Sequence, residues 1–556
     1  MAIALVVLVA FVYLMWKGRG NTFFYDDWSW IELRRSGLHA ILASYNQHLV
    51  AAPVAVYQLL LHTVGLTDYW LYRLLGTVAH LACATLVFVF VRRRIGAAAA
   101  LVVVPVVFLG SGWDYLLEPV SLGFVASLTL SIGALLALER GDRRGDALAC
   151  TLLVGAVACS EFTVVFLVGI AAALPWESWG SWESGESWES RSRKPSLRRV
   201  WVCTVPLALY AAWWLAYHEP SMARENLTAA PAFAADLAAS AVGGLLGLGL
   251  DWGRPILLAT LGLVGWRLTH LGAWRPRTAM LLVAAGTFWL LVGLGRANLG
   301  EPSASRYVYT GAILVLLILA EAFRGVQLSP KALGVAAAVV LFALAGNLRA
   351  LGRGEASLRT ASRVVKAELG ALQLARRTAA PGLVLDPHYA PQVIAGQYFA
   401  AIDAIGSSPA DSPAQLLRGP QDARAAADKV LVRAGALRTG PGSRRLPASR
   451  AAGSTLPPVD RAGGGTMRIA GGCLAFTPTA RPGGFDLTLP PGGIDLASSG
   501  GEVTLSARRF GFTFDSGAVA TVPANGVLAV RAGPDASPLA WHLRLATSVP
   551  VRACGA

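Results

Sequence analysis

Charge is scarce in this chain. Asp, Glu, Lys and Arg make up 15% of its 556 residues, while 54% are hydrophobic, and mean hydropathy is +0.52. A soluble domain carries about 25% charged residues, so this balance excludes an ordinary soluble protein and points to a membrane. Lysine is nearly missing: Lys17, Lys194, Lys331, Lys366 and Lys429 are the full set, and arginine supplies the rest of the net charge of +15. With abundant Ala and Gly, that bias suggests a high-GC bacterial genome. Aromatic and basic residues never interleave in a way that argues for nucleic acid, and loop arginines in a membrane protein orient its spans. Cysteine is rare too. None of the six has metal-ligand spacing, and Cys83, Cys150, Cys159 and Cys203 fall in apolar runs, where a free thiol is a small apolar residue.

What is abundant is long apolar runs. They lie near 1–16, 71–91, 97–110, 120–138, 147–159, 161–175, 200–217, 255–267, 278–295, 307–323 and 331–347, which gives about eleven spans. The first lacks a basic n-region and a small-residue cleavage site, so it reads as a retained span. Arginine-rich stretches at 92–94, 140–144, 191–199, 267–277 and 324–331 then share one side, cytoplasmic by the positive-inside rule. Loops at 113–118, 218–236 and 296–306 fall on the other side, as do Asp26 and Asp27. Two further apolar stretches, 49–66 and 233–250, read as helices lying along the membrane surface. The Trp-Glu-Ser repeat at 176–190 reads as a tolerated loop expansion.

The organisation expected is a transmembrane domain over 1–347, a polar connecting helix over 348–380, and an extracytoplasmic soluble domain over 381–556. Residues 383–386 and 390–405 read as strand then helix. From about 465 the pattern alternates with period two, at 485–489, 503–507, 510–514 and 541–545, as in a β-sandwich. Cys473 and Cys554 bracket that region, and a pair in an oxidising compartment reads as one disulfide.

The chemistry is expected at Asp26 and Asp27, in Asn21-Thr-Phe-Phe-Tyr-Asp-Asp-Trp28, just past the first span. Adjacent carboxylates at the mouth of a span are costly to keep near hydrocarbon. Such a group can take a proton from a hydroxyl nucleophile or hold a metal ion; the plain alternative is a helix cap beside a solvated acid. Ser29 and Glu32 have capping-box spacing, which gives Glu32 a structural role and leaves the two aspartates on the turn before a helix, with Asp26 favoured as base.

Tyr45-Asn-Gln-His48, Pro53, Gly65-Leu66, Tyr69, Tyr72-Arg73 and His80-Leu81 follow in order. The ordered set, over roughly residues 1–95, resembles the opening of the GT-C class of polyprenyl-phosphate-sugar-dependent glycosyltransferases, including protein O-mannosyltransferases and transmembrane-TPR O-mannosyltransferases. No TPR array follows here. The resemblance implies a polytopic α-helical GT-C fold whose outer face binds a polyprenyl-phosphate-linked sugar. It implies transfer to an envelope glycan, lipid or protein hydroxyl, usually with inversion, and Asp26 and Asp27 occupy the position of the first-loop acid. A divalent cation, Mg²⁺ or Mn²⁺, is compatible.

For the donor phosphate the candidates are Arg306 with Tyr307, then Arg296 and Arg73. Arginine offers a fixed fork of donors suited to phosphate; the plain alternative for Arg306 is snorkelling to headgroups. His48, Asp114 and Glu118 are candidates for acceptor or metal. His80, deep in a run, reads as packed, and the sequon at Asn226 as accidental. The rival functions are a transporter or flippase of lipid-linked or envelope glycans, and a non-catalytic envelope protein that binds glycan. Transporters place ionisable residues near the midplane in paired repeats; here the acids gather in outer loops and no repeat is evident.

Overall fold

A computed structural model describes residues 2–33, 37–173, 199–217, 225–270, 275–442, 456–479, 483–535, 537 and 539–555. The repeat at 176–190 and the 218–224 part of the expected outer loop lie outside these residues. The chain divides into two compact units. One comprises Met1–Gly20, Arg34–Val64 and Asp68–Leu358; the other comprises Asn21–Leu33, Gly65–Thr67 and Arg359–Ala556. The aspartate loop therefore folds with the C-terminal unit. The connecting segment is no separate element, because Pro330–Leu374 is one unbroken 45-residue helix.

The first unit is helical among the described residues. Six helices are long and apolar enough to cross a membrane: Tyr69–Leu101, Pro119–Leu138, Asn226–Leu245, Pro276–Leu299, Ser305–Ala322 and Pro330–Leu374. Ile3–Lys17, Val104–Leu117, Glu161–Ala173 and Trp201–Tyr217 are shorter apolar helices. Eleven full spans are thus more than helix length alone supports. The run at 97–110, for example, is no span of its own: it holds the end of Tyr69–Leu101 and the start of Val104–Leu117. Leu5, Leu8, Leu215, Leu258 and Leu261 are all more than half exposed. Large apolar side chains turned outward on apolar helices suit lipid, not water.

Contacts sort the helix ends into two groups. At one end Arg93 and Arg94 pair with Glu139, Arg94 also pairs with Glu321, and Arg277 reaches Glu139. Arg267 donates to the Ala322 carbonyl. These are the arginines that charge sorting places on one side. At the other end, Asp114 meets Ser305, and Ser111 donates its N–H to Asn347 Oδ1 at 2.9 Å.

Asn226–Leu245 starts earlier than the apolar stretch at 233–250, and its length would let it cross. Yet both of its ends touch the second group. Asn226 bonds Leu294 and Asn298, while Gly244 and Leu245 accept from Asn347 Nδ2. The helix therefore runs across that end of the bundle, as a surface-lying helix does.

In the second unit β1 (Val384–Asp386) and β2 (Ala390–Ile394) form an antiparallel pair, followed by the helix Ala395–Ile405. The helix expected from 390 begins five residues late because Asp386 closes a turn. Its Oδ1 accepts from the N–H groups of His388 (2.5 Å) and Tyr389 (2.7 Å), folding 390–394 back as a strand.

Eleven more strands follow: β3 (Leu437–Pro441), β4 (Val459–Gly463), β5 (Gly465–Ala470), β6 (Cys473–Pro478), β7 (Gly483–Thr488), β8 (Ile494–Ser498), β9 (Val503–Arg508), β10 (Ala518–Val522), β11 (Val527–Ala532), β12 (His542–Thr547) and β13 (Val551–Gly555). They form a five-stranded sheet, β10-β9-β12-β7-β4, and a six-stranded one, β3-β11-β8-β13-β6-β5. Phe476 of one sheet meets Phe485 of the other, ring centroids 5.0 Å apart. Leu496, Leu505, Leu543 and Leu545 complete the dry interior, since alternate residues of each strand face inward.

The alternating run at 510–514 is not a strand. Asp428 accepts from the N–H groups of Phe510 and Gly511, and Gln421 from that of Phe512, so helix side chains take the donors that a ladder would need. Cys473 and Cys554 are joined in a disulfide, Cα atoms 4.4 Å apart, one step beyond the β6–β13 register that pairs Ala553 with Leu474.

Candidate active site

Asp26 and Asp27 open the helix Asp26–Leu33 rather than preceding it, and Ser29 lies inside it. Two acids in a first turn suit the positive end of the helix dipole. Asp27 is 1% exposed, and its Oδ2 accepts the Phe24 N–H at 3.0 Å, which holds the loop together. Asp26 is half-buried, and its carboxylate forms no hydrogen bond or ion pair with a described residue. Of the two, it is the carboxylate left available.

Its neighbour Tyr25 has φ 44°, a left-handed conformation rarely taken by a bulky residue. The Tyr25 hydroxyl donates to the His388 carbonyl at 2.9 Å. Trp28, fully buried, packs edge-on to Tyr398 at 5.6 Å. Glu32 is buried and accepts from the Ile394 N–H, a structural role reached by a long-range contact and not by capping with Ser29.

In the first unit Arg306 sits one residue into the helix Ser305–Ala322. It is exposed and its guanidinium lies over the Tyr307 ring, 5.0 Å from the centroid. It makes no ion pair with a described carboxylate. Asp114 is close by: its N–H donates to Ser305 Oγ at 2.9 Å, and the Arg306 backbone N–H lies against its carboxylate. Burial pushes the Asp114 carboxyl up to about 6, against the pull of the Arg306 charge. Asp114 thus caps this helix from a neighbouring loop. Glu118 follows the same short helix, its N–H on the Asp114 carbonyl at 2.9 Å.

His48 belongs to a second cluster. Its Nδ1 contacts Glu161 Oε1, the Leu49 N–H donates to Glu161 Oε2 at 3.0 Å, and Arg296 Nη2 lies 3.2 Å from His48 Nε2. Sequence reasoning missed Glu161; an acid between two apolar runs was the available signal. An aromatic series joins the clusters: His48 meets Phe124, Phe124 stacks on Tyr115, and Tyr115 meets Tyr309. Tyr309 bonds His80 Nδ1 at 2.8 Å, and His80 Nε2 faces the Val107 carbonyl. His80 is fully buried and packs as read.

Arg73 is placed differently from the other phosphate candidates. It is 4% exposed and donates to the Leu14 and Met15 carbonyls, so its Nη2 is engaged in fixing the first helix. Among the described residues no three His, Cys, Asp or Glu side chains gather as metal ligands; His48 faces Glu161 rather than Asp114 or Glu118.

No protein-family model matches this chain, and no curated protein does. Among solved structures it is similar to the crystal structure of ArnT from Cupriavidus metallidurans bound to undecaprenyl phosphate. The identity is 13%, over 68% of this chain and 81% of that one, with a TM-score of 0.42. A likeness at that level says nothing of what this chain binds.

Proposed function

We propose that this protein is an integral-membrane glycosyltransferase of the GT-C type, moving a hexosyl or pentosyl group from a polyprenyl-phosphate donor to a hydroxyl of an envelope glycan, lipid or protein. The observation that carries it is Arg306: an exposed arginine, stacked on Tyr307, set at a helix N-terminus, which forms no ion pair with a described carboxylate although the Asp114 charge acts on it. An arginine fork at the positive end of a helix suits a phosphate. The ordered opening motif and the available Asp26 supply the remaining support.

In the reaction, the acceptor oxygen attacks the anomeric carbon and the bond from that carbon to the phosphate oxygen breaks. Polyprenyl phosphate departs with the electron pair, its charge met by Arg306. The acceptor proton passes to a carboxylate base, the role for which the opening motif nominates Asp26, and the anomeric configuration inverts. Such transfer asks the protein for a base, a cation for the leaving phosphate, and positioning. The positive-inside rule supports a cytoplasmic Arg94 end and an outward-facing Arg306 end, and with them our reading of an enzyme of the cytoplasmic membrane whose donor site is extracytoplasmic.

Arg306→Lys tests this. Membranes carrying the full-length protein are given polyprenyl-phosphate donors bearing labelled mannose or arabinofuranose. Losing the bidentate fork while keeping the charge should lower transfer by about ten-fold or more. Unchanged transfer would mean that Arg306 merely snorkels and would remove the main support.

A further inference from the structure

The cluster around His48 has a definite protonation pattern. Arginine only donates hydrogen bonds, so His48 Nε2, 3.2 Å from Arg296 Nη2, is the accepting nitrogen. The proton is then on Nδ1 and is donated to Glu161 Oε1. Glu161 also accepts the Leu49 N–H through Oε2, so one carboxylate grips both the ring and the backbone beside it.

The backbone here is unusual as well. Tyr45 and His48 exchange N–H···O bonds of 3.0 and 2.7 Å around Asn46 (φ 48°) and Gln47 (φ 75°). Two successive left-handed residues make a type I′ turn, which ordinarily wants glycine at its second centre. A glutamine held there marks a turn maintained by its surroundings. That turn aims the Asn46 carbonyl at Arg296, 3.4 Å away. Arg296 is therefore held by two neutral acceptors and forms no ion pair with a described carboxylate. Its charge is oriented and left uncompensated.

We infer that Glu161 and His48 are positioning residues that hold Arg296 as a second cation for the phosphate of the lipid donor. The inference rests on the function proposed above and adds to it a relay, carboxylate to imidazole to guanidinium, that fixes where the second positive charge stands. Glu161 acts through the His48 ring and the Leu49 N–H beside it, and His48 through Arg296.

The test is binding of a short-chain polyprenyl phosphate to the detergent-solubilised full-length protein, with the uncharged polyprenol as control. Arg296→Ala should weaken the phosphate about ten-fold and leave the polyprenol unchanged. His48→Phe should do the same, and adding it to Arg296→Ala should cost nothing more, since both act at one point. His48→Gln is the rescue. Its amide can donate to Glu161 and accept from Arg296, so affinity should return to near wild type, whereas a merely space-filling role would favour Phe. Glu161→Ala should match His48→Phe, with unfolding temperature reported for each variant. Phosphate preference that survives Arg296→Ala, or His48→Gln binding no better than His48→Phe, overturns the relay and leaves Arg306 as phosphate residue. A wild type that does not prefer the phosphate over the alcohol overturns both this inference and the function beneath it.

Discussion

Replacing Glu368 by glutamine should stabilise the C-terminal unit, and by an amount that depends on pH. Glu368 is 2% exposed and lies close enough to Asp386 for the two carboxyl groups to share a proton. Burial, reinforced by the Asp386 charge, pushes Glu368 from an ordinary 4.5 up to about 9. Burial acts on Asp386 in the same sense, but the N–H groups of Tyr389 and His388 outweigh it and hold that carboxyl below its usual range. The shared proton therefore belongs to Glu368. A carboxyl whose folded pKa is raised contributes stability that is complete below the unfolded pKa and is lost as pH rises through the folded one. At about 1.4 kcal/mol for each tenfold in proton affinity, keeping the proton costs the fold roughly 3 kcal/mol at pH 7 and nearer 6 at pH 9. Glutamine keeps a donor toward Asp386 and has no proton to hold. Thermal unfolding of the full-length variant should show a gain of roughly 6 °C or more at pH 7, growing toward pH 9 and vanishing near pH 4.5. An equal shift at every pH, or a loss at pH 9, would refute the reasoning.

Asp26→Asn should abolish sugar transfer while leaving the unfolding temperature unchanged, because it removes basicity and keeps shape; wild-type turnover would exclude Asp26 as base. Cys473 and Cys554 should resist a thiol reagent until a reductant is added, and reduction should lower the stability of the β-sandwich by roughly 3–5 kcal/mol; two reactive thiols in unreduced protein would contradict the bridge. Asn347→Ala should cost about 1–3 kcal/mol by leaving the Ser111 N–H and the Gly244 and Leu245 carbonyls unpaired, read as a lower unfolding temperature in detergent. Gly110→Ala should prevent folded, monodisperse protein altogether, since its Cβ would stand 1.8 Å from the Asn347 carbonyl oxygen.

Features set by local composition were legible in the sequence. Apolar runs became helices, arginines that charge sorting put on one side meet around Glu139 and Glu321, and period-two segments at 485–489, 503–507 and 541–545 fall largely on β7, β9 and β12. What escaped depends on partners far along the chain. The 510–514 run alternates as a strand should, but Asp428 and Gln421 claim its N–H groups. Residues 390–394 read as part of the helix that follows, but Pro391, Val393 and Ile394 suit a strand, and the turn at Asp386 folds them back as one. Glu161 becomes a site residue only when Leu49 and His48 are folded against it from more than a hundred positions away. Ser29 and Glu32 have the right spacing for a capping box, yet the helix had already begun at Asp26, because the loop before it is closed by Asp27 and Phe24.

The position of β13 has a consequence for how the protein is made. It is the last of the described strands to be synthesised, yet it lies between β8 and β6 in the interior of its sheet. Until residues 551–555 emerge, β8 and β6 each keep one unpaired edge, and the sheet cannot close in the order of synthesis. A nascent chain would wait with two apolar ribbons open to misassociation. Maturation should therefore be slow and late, and a chaperone that shields strand edges should raise the yield more than any change at the surface.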